Sequence, residues 1–290
     1  MGLLLLSSEA LAGDGPSTID PYQIIITDIL PNGPAAPVGP NVAPSTSQSL
    51  DLTKKNLVII VAGQSNLGNP APSAYSPTNG SSLFNFNIWD GAIYPAADPL
   101  VGCNSVKIGN PALRLADSIV TAALFDRVYL VPIAIGGTTV AQWDSGPLNN
   151  FFKITFMRLA QRGIVAGANV TIVVIWGQGE SDNLAGTSQA NYTTGITDVI
   201  NQTRQAGFTG SFYVAEQTWN SGTSSTAVQN SQLAIVNHPS GIYAGPVADA
   251  LIGTCGGSAC RQADNTHFSD TGSASYAAAW LAALQAGKPF

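Results

Sequence analysis

Leu57-Val58-Ile59-Ile60-Val61-Ala62 is an unbroken apolar run that ends on Gly63-Gln64-Ser65-Asn66, and its reading decides the fold. A strand with one wet face alternates apolar and polar residues. A strand without alternation must be covered on both faces, as in a parallel sheet packed between helices. The same signature recurs at Val128–Ala134 (VYLVPIA), Val170–Trp176 (VTIVVIW), Ser211–Ala215 (SFYVA) and Ile242–Val247 (IYAGPV). Helix-length segments lie between and after these runs, at about 111–124, 150–166, 188–206, 225–237 and 270–286. Ser269 or Asp270 is placed to cap the last of them, and Gly287 with Pro289 to end it. Crossovers of this length suit right-handed βαβ units. The expectation is an α/β fold, a three-layer α/β/α sandwich around a five-stranded parallel sheet.

Upstream the pattern changes. From Pro31 to Ser47 the chain is rich in Pro, Gly and Ser without sustained periodicity, so residues 1–50 read as an extended arm or linker and 51–290 as the folded domain. Ile24-Ile25-Ile26 is the arm's one strand-like stretch, and oligomerisation, tethering or docking onto the domain are its candidate roles. The start is a poor cleaved signal: its apolar part is only Leu3–Leu6, no positive charge precedes it and Glu9 follows closely. Cys255 and Cys260 bracket a Gly-rich loop able to close a small disulfide, the alternative being two free thiols with Cys103 a third. The compartment stays undecided, secreted, cell-surface or particle-associated being favoured over cytoplasmic.

Composition narrows the chemistry. With 45% hydrophobic residues among 290, the chain can bury a sizeable core, which excludes global disorder. A net charge of −6 is the wrong footprint for a nucleic-acid or polybasic membrane binder. Two histidines and three cysteines cannot build a Cys/His-rich zinc site, so no metal and no cofactor is expected.

In a parallel sheet, ligands bind beyond the carboxyl ends of the strands, and that is where the chemistry-bearing residues fall. Ser65 follows the first run at a glycine-flanked corner that can expose its hydroxyl. Gly136-Gly137 follows the second, either a close-approach backbone donor or an ordinary turn, with Trp143 beyond as pocket wall or core. Gly177-Gln178-Gly179-Glu180-Ser181-Asp182 follows the third. Gln178 offers an amide donor, and Glu180 is a candidate brace for its loop. Glu180 with Asp182 would suit a paired-carboxylate glycosidase only if they faced each other, which so short a spacing on a loop does not require. Asp264-Asn265-Thr266-His267 precedes the last helix. A carboxylate three residues before an imidazole can accept from one ring nitrogen and leave the other free as a base. His238, in a helix-exit turn without such a partner, reads as a surface residue. Trp89, Tyr94, Trp143 and Trp219 are candidate linings of a glycan groove. A serine, a backbone donor, an amide and an Asp–His pair are together the parts for acyl transfer through a serine ester.

As a set, Gly63–Asn66, Gly136–Trp143, Trp176–Glu180 and Asp264–His267 resemble the SGNH hydrolases, in the branch of sialate O-acetylesterases and acetylxylan esterases (carbohydrate esterase family 6), over about residues 56–286. The resemblance implies a flavodoxin-like fold. It also implies a serine esterase acting on short-chain acyl esters, O-acetyl foremost, of carbohydrates. Ser65 is then the nucleophile, His267 the base and Asp264 its orienting partner. The oxyanion donors it implies are the N–H groups of Ser65 and Gly137 and the Gln178 side chain. Gln64, Asn66, Trp143 and Glu180 fall to support or substrate-pocket roles. Leu67 and Gly177 depart from the branch's pattern, where methionine and a larger or polar residue are common, and the expectation is a reshaped pocket. A non-catalytic carbohydrate-binding or structural module, or a lipase or thioesterase of the same superfamily, are the competing readings.

Overall fold

The computed structural model describes residues 49–287 apart from 104–106 and 147. The signal-like start, the Ile24–Ile26 stretch, all but the end of the arm and Pro289 lie outside the described residues. The chain forms β1 (Asn56–Gly63), β2 (Leu83–Asn87), β3 (Ala92–Pro95), α1 (Pro111–Thr121), β4 (Arg127–Pro132), α2 (Val140–Asp144), α3 (Phe151–Gln161) and β5 (Val170–Gly177). It continues through α4 (Glu180–Ala185), α5 (Gln189–Gln205), β6 (Ser211–Glu216), α6 (Thr226–Ala234), β7 (Ile242–Val247), a small hairpin of β8 (Thr254–Cys255) and β9 (Ser258–Ala259), and α7 (Asp270–Gly287).

The main sheet has the order β3-β2-β4-β1-β5-β6-β7, all parallel except β3. The five apolar runs form its contiguous β4-β1-β5-β6-β7 portion. Both faces of the inner strands β1, β4, β5 and β6 are dry, as the lack of alternation required, while the edge strand β7 is partly exposed. Leu57, Ile59 and Val61 point into a core shared with Leu113 and Ile119 of α1 and Trp280 and Leu284 of α7. Val58, Ile60 and Ala62 point the other way, into a core shared with Phe152 of α3 and Tyr192 and Ile196 of α5. Each such Val, Leu or Ile side chain contributes about 1.5–3 kcal/mol by leaving water.

The sheet has seven strands rather than five. β2 reads Leu-Phe-Asn-Phe-Asn, and its two asparagines disguise a strand that is buried throughout. Asn85 solves its own desolvation: Oδ1 accepts from Val101 N–H at 2.7 Å and Nδ2 donates to Val101 O at 2.9 Å. Asn87 Oδ1 accepts from Trp89 N–H at 3.1 Å. β3 is short and ends on Pro95, as suits an edge. Helices α2 and α4 also escaped the periodicity reading, because neither is long enough to show a repeat.

Two local features position the site. Gly63 has φ +122°, and a Cβ there would stand 2.1 Å from Gly177 O, so β1 and β5 end in a contact that only glycine allows. Gln64 N–H donates to that same Gly177 O at 2.9 Å, and Ile135 N–H donates to Gly63 O at 2.9 Å. Loops after β1, β4 and β5 thus leave the sheet side by side, where chain order reverses about β1. At the far end of the chain Ser269 caps α7, its Oγ accepting from Gly272 N–H at 3.0 Å, while the Asp270 carboxylate accepts from Ser73 N–H.

Asn85→Ala should cost about 2–4 kcal/mol, since both main-chain groups of Val101 lose their partners. Urea denaturation checks this, and a loss below about 0.5 kcal/mol would show that the asparagine is not what makes β2 buriable.

Candidate active site

Ser65 opens a single 3₁₀ turn, Ser65–Leu67, directly beyond β1, and is 4% exposed. His267 Nε2 lies 2.9 Å from Ser65 Oγ, and His267 Nδ1 lies 2.8 Å from Asp264 Oδ2. A carboxylate only accepts, so Nδ1 carries the hydrogen and Nε2 presents its lone pair to the serine hydroxyl. Asp264 Oδ1 accepts from the N–H groups of Thr266 and His267, both at 2.9 Å. Asn265, at φ +51°, lets the turn fold back this tightly. Partial burial pushes the Asp264 carboxyl up, but hydrogen bonds from the His267 ring and from the two main-chain donors outweigh it and hold it below the usual range. The row runs from a buried serine to an aspartate side chain that is 46% exposed. The turn follows the β8–β9 hairpin, which is closed by a Cys255–Cys260 disulfide; Cys103 is a buried free thiol.

The remaining predicted residues separate into those beside the serine and those beneath it. Gly137, at φ +73°, is exposed on the loop that Ile135 pins to the end of β1. Gln178 is turned inward. Its Nε2 donates to Thr138 O at 2.8 Å and to Asp182 Oδ2 at 2.5 Å, and its Oε1 accepts from Tyr192 O–H at 2.9 Å. An amide nitrogen has two hydrogens and both are taken, while a flipped amide would face two acceptors with its oxygen. The expectation of a Gln178 oxyanion donor is therefore not met; this side chain staples the β5 loop to the β4 loop. The signal that would have found this is Asp182 itself, one turn further on. Gln64 has a bracing role too, its Oε1 accepting from the N–H groups of Gly179 and Ser181 at 3.3 and 3.2 Å.

Trp143 is fully buried against Phe151, Phe152 and Trp176, and its Nε1 donates to Thr138 Oγ1 at 2.9 Å. It supports the second loop from the core and lines no pocket. Trp89 is likewise core, and Tyr94 sits on edge strand β3 bonded to Asp90. Of the proposed groove aromatics only the half-buried Trp219 adjoins the His267 turn, its Nε1 donating to Asn265 Oδ1 at 3.4 Å. His238 is exposed, its ring against Tyr243. Leu67 is buried, and a Cβ on Gly177 would stand 2.8 Å from Leu67 Cδ1 and from Gln217 Oε1. These two departures from the family pattern fit one another below the site instead of reshaping a pocket.

Glu180 and Asp182 are each about 1% exposed and belong to different networks, so they are no glycosidase pair. Asp182 Oδ2 accepts from Val140 N–H and Gln178. Glu180 Oε1 accepts from Asn66 Nδ2 at 2.8 Å and Gln217 Nε2 at 2.7 Å, while its Oε2 has no partner among the described residues. Burial pushes the Glu180 carboxyl up to about 7, against the opposing pull of Asn66, Gln217 and Arg261. Sequence reasoning missed Arg261. It is buried, donates to the main-chain oxygens of Thr266, Leu251 and Ala248, and lies 3.8 Å above the Phe268 ring. Its place three residues before Asp264 was the only hint. Among the described residues no group of three or more His, Cys, Asp or Glu is placed to hold a metal ion.

A carboxyl raised by folding stabilises the protein fully below its ordinary value of 4.5 and loses that contribution as pH rises through about 7. Glu180→Gln removes the titration. The variant should therefore gain on the wild type between about pH 4.5 and 7 and run parallel to it outside that window, in urea midpoints taken across pH. A difference constant with pH would contradict the raised carboxyl.

The family model for carbohydrate esterases described as sialic acid-specific acetylesterase matches residues 55–283. Among solved structures, a protein from Arabidopsis thaliana superposes with a TM-score of 0.60 at 21% identity, covering 80% of this chain and 98% of its own, which shows a shared fold. NanS is more distant, at TM-score 0.49 and 14% identity over 79% of this chain and 97% of its own. A lipase/acylhydrolase from Enterococcus faecalis stands at 0.49 and 12% over 81% and 98%. No curated protein matches in sequence. With four motif-bearing loops gathered at the carboxyl ends of the central strands and the family matched across nearly the whole described domain, the chain belongs to the sialic acid-specific acetylesterase family of carbohydrate esterases and is a carboxylic ester hydrolase.

Proposed function

We propose that this protein is a serine esterase that removes short acyl groups, acetyl foremost, from carbohydrate hydroxyls through a covalent acyl-Ser65 intermediate. The observation that carries the reading is the continuous Ser65–His267–Asp264 row, with contacts of 2.9 and 2.8 Å, in a chain of a carbohydrate esterase family.

His267 Nε2 takes the Ser65 proton as Oγ bonds to the ester carbonyl carbon, and the carbonyl electron pair moves onto oxygen. The N–H groups of Ser65 and Gly137 are the donors we assign to that oxyanion, each worth about 3 kcal/mol in comparable enzymes. As the carbonyl reforms, the bond to the sugar oxygen breaks and His267 delivers its proton to the departing alkoxide. Water then enters. His267 takes its proton, the hydroxide attacks the acyl carbon, and Ser65 leaves with the proton returned. Asp264 holds the imidazole in the tautomer that makes each transfer possible. Acetate is the acid preferentially released in this reading. Acetylated glycans in a small panel would identify the sugar.

Ser65→Ala should lower acetate release by at least about 10⁴-fold while preserving the fold; a variant with wild-type turnover would end the nucleophile assignment. Asp264→Asn should lower kcat by about 10⁴. The N–H groups of Thr266 and His267 would hold the new amide with its oxygen toward them and its NH₂ toward Nδ1, which forces the wrong imidazole tautomer. Turnover within tenfold of wild type would show that Asp264 does not orient the base.

A further inference from the structure

The Asp264–His267 hydrogen bond lies inside one turn. It can orient the imidazole within that turn, but it cannot place the turn against the serine. Other ties lead elsewhere: Ser221 N–H donates to Thr266 Oγ1, and Trp219 reaches Asn265, both from the loop after β6. Further along the nucleophile's loop, Gln262 Nε2 donates to Pro70 O at 2.7 Å and Ser73 N–H donates to Asp270, but the tie to the 3₁₀ turn that carries Ser65 is the side chain of Asn66, which is fully buried. Asn66 Nδ2 donates to Thr266 O at 3.2 Å and Asn66 Oδ1 accepts from Phe268 N–H at 3.0 Å, so the amide grips the main chain on both sides of His267.

The grip depends on which way round the amide lies. The second Nδ2 hydrogen goes to Glu180 Oε1 at 2.8 Å, and Arg261 Nη1 holds the same Thr266 O at 2.7 Å. Rotated by half a turn, the amide would set its oxygen against two acceptors and its NH₂ against an N–H. Buried groups left unpaired in that way lose their hydration with nothing in return, so the amide is held in one orientation.

We propose that Asn66, oriented by Glu180, is a positioning residue that sets the His267 imidazole at bonding distance from Ser65. This rests on the serine-esterase reading. Because Asn66 follows Ser65 in the same 3₁₀ turn, clamp and nucleophile move together, and the gap between Oγ and Nε2 is governed by two bonds to the residues flanking the base.

The test compares Asn66→Ala and Asn66→Asp with Ser65→Ala in the full chain, on an aryl acetate. Asn66→Asp preserves size and the acceptor for Phe268 N–H but turns a carboxylate oxygen toward Thr266 O and Glu180, so it carries the test if the alanine variant fails to fold. Both should lose about 10²-fold in kcat with KM within about twofold, the signature of a misplaced base rather than lost binding. Covalent capture of Ser65 by a fluorophosphonate should slow in step. Adding Glu180→Gln to Asn66→Asp supplies an amide that donates to the introduced carboxylate, and should recover about tenfold of the loss. Folded Asn66 variants with kcat within twofold of wild type, beside a dead Ser65→Ala, would overturn the proposal and leave the serine mechanism standing. Turnover by Ser65→Ala would bring down that mechanism and the proposal with it.

Discussion

The close approach of Gly63 to Gly177 is the constraint from which the site follows. Two central parallel strands end with their backbones too near for any side chain, and the two loops that leave them are bonded at their roots by Gln64 N–H and Gly177 O. Ser65 therefore emerges into a crowded corner with little freedom. The loop carrying Gln178, Glu180 and Asp182 can only turn beneath it. A Cβ at Gly63 would push the strands apart and uncouple the serine from its supports.

Beneath the reacting groups lies a layer of buried polar side chains, and its chemistry explains its composition. Glu180, Asp182 and Arg261 are all nearly dry, yet none makes a direct ion pair with another in the hydrogen-bonded network described above. Each is met by amides, main-chain groups or an aromatic face. Dispersing a charge over neutral dipoles avoids the geometric demands of a dry ion pair and leaves each loop fixed by several bonds. Above that layer, solvent reaches the aspartate most and the serine least.

Much of this was legible in the chain itself. Short, β-branched apolar runs without alternation point to strands covered on both faces, and the five of them are five adjacent strands of the sheet, from β4 to the edge at β7. Ser65, Asp264 and His267 were legible because each stands at a strand end or before a helix, with a spacing that has a mechanical reason. Asn85 and Asn87 hid β2, since a buried asparagine bonded to a neighbouring loop looks in sequence like a surface residue. Gln178 misled for the converse reason. A glutamine between glycines is the same string whether its amide faces a substrate or Asp182, and only the three-dimensional position of Thr138 O decides. Trp143 was open between wall and core, and the aromatic cluster around it, drawn from α3 and β5, decided for core.

The hydrogen bond between Ser65 and His267 joins residues 202 positions apart, one leaving the first strand and the other preceding the last helix. Closing so long a loop carries an entropic cost that local structure cannot offset, so this contact forms only when nearly all the intervening layers are in place. On the proposed serine mechanism, turnover is thus an end-of-assembly signal. A partly folded chain with a finished sheet centre would then be inert, and a lesion that loosens the final helix would silence that mechanism before the rest unfolds.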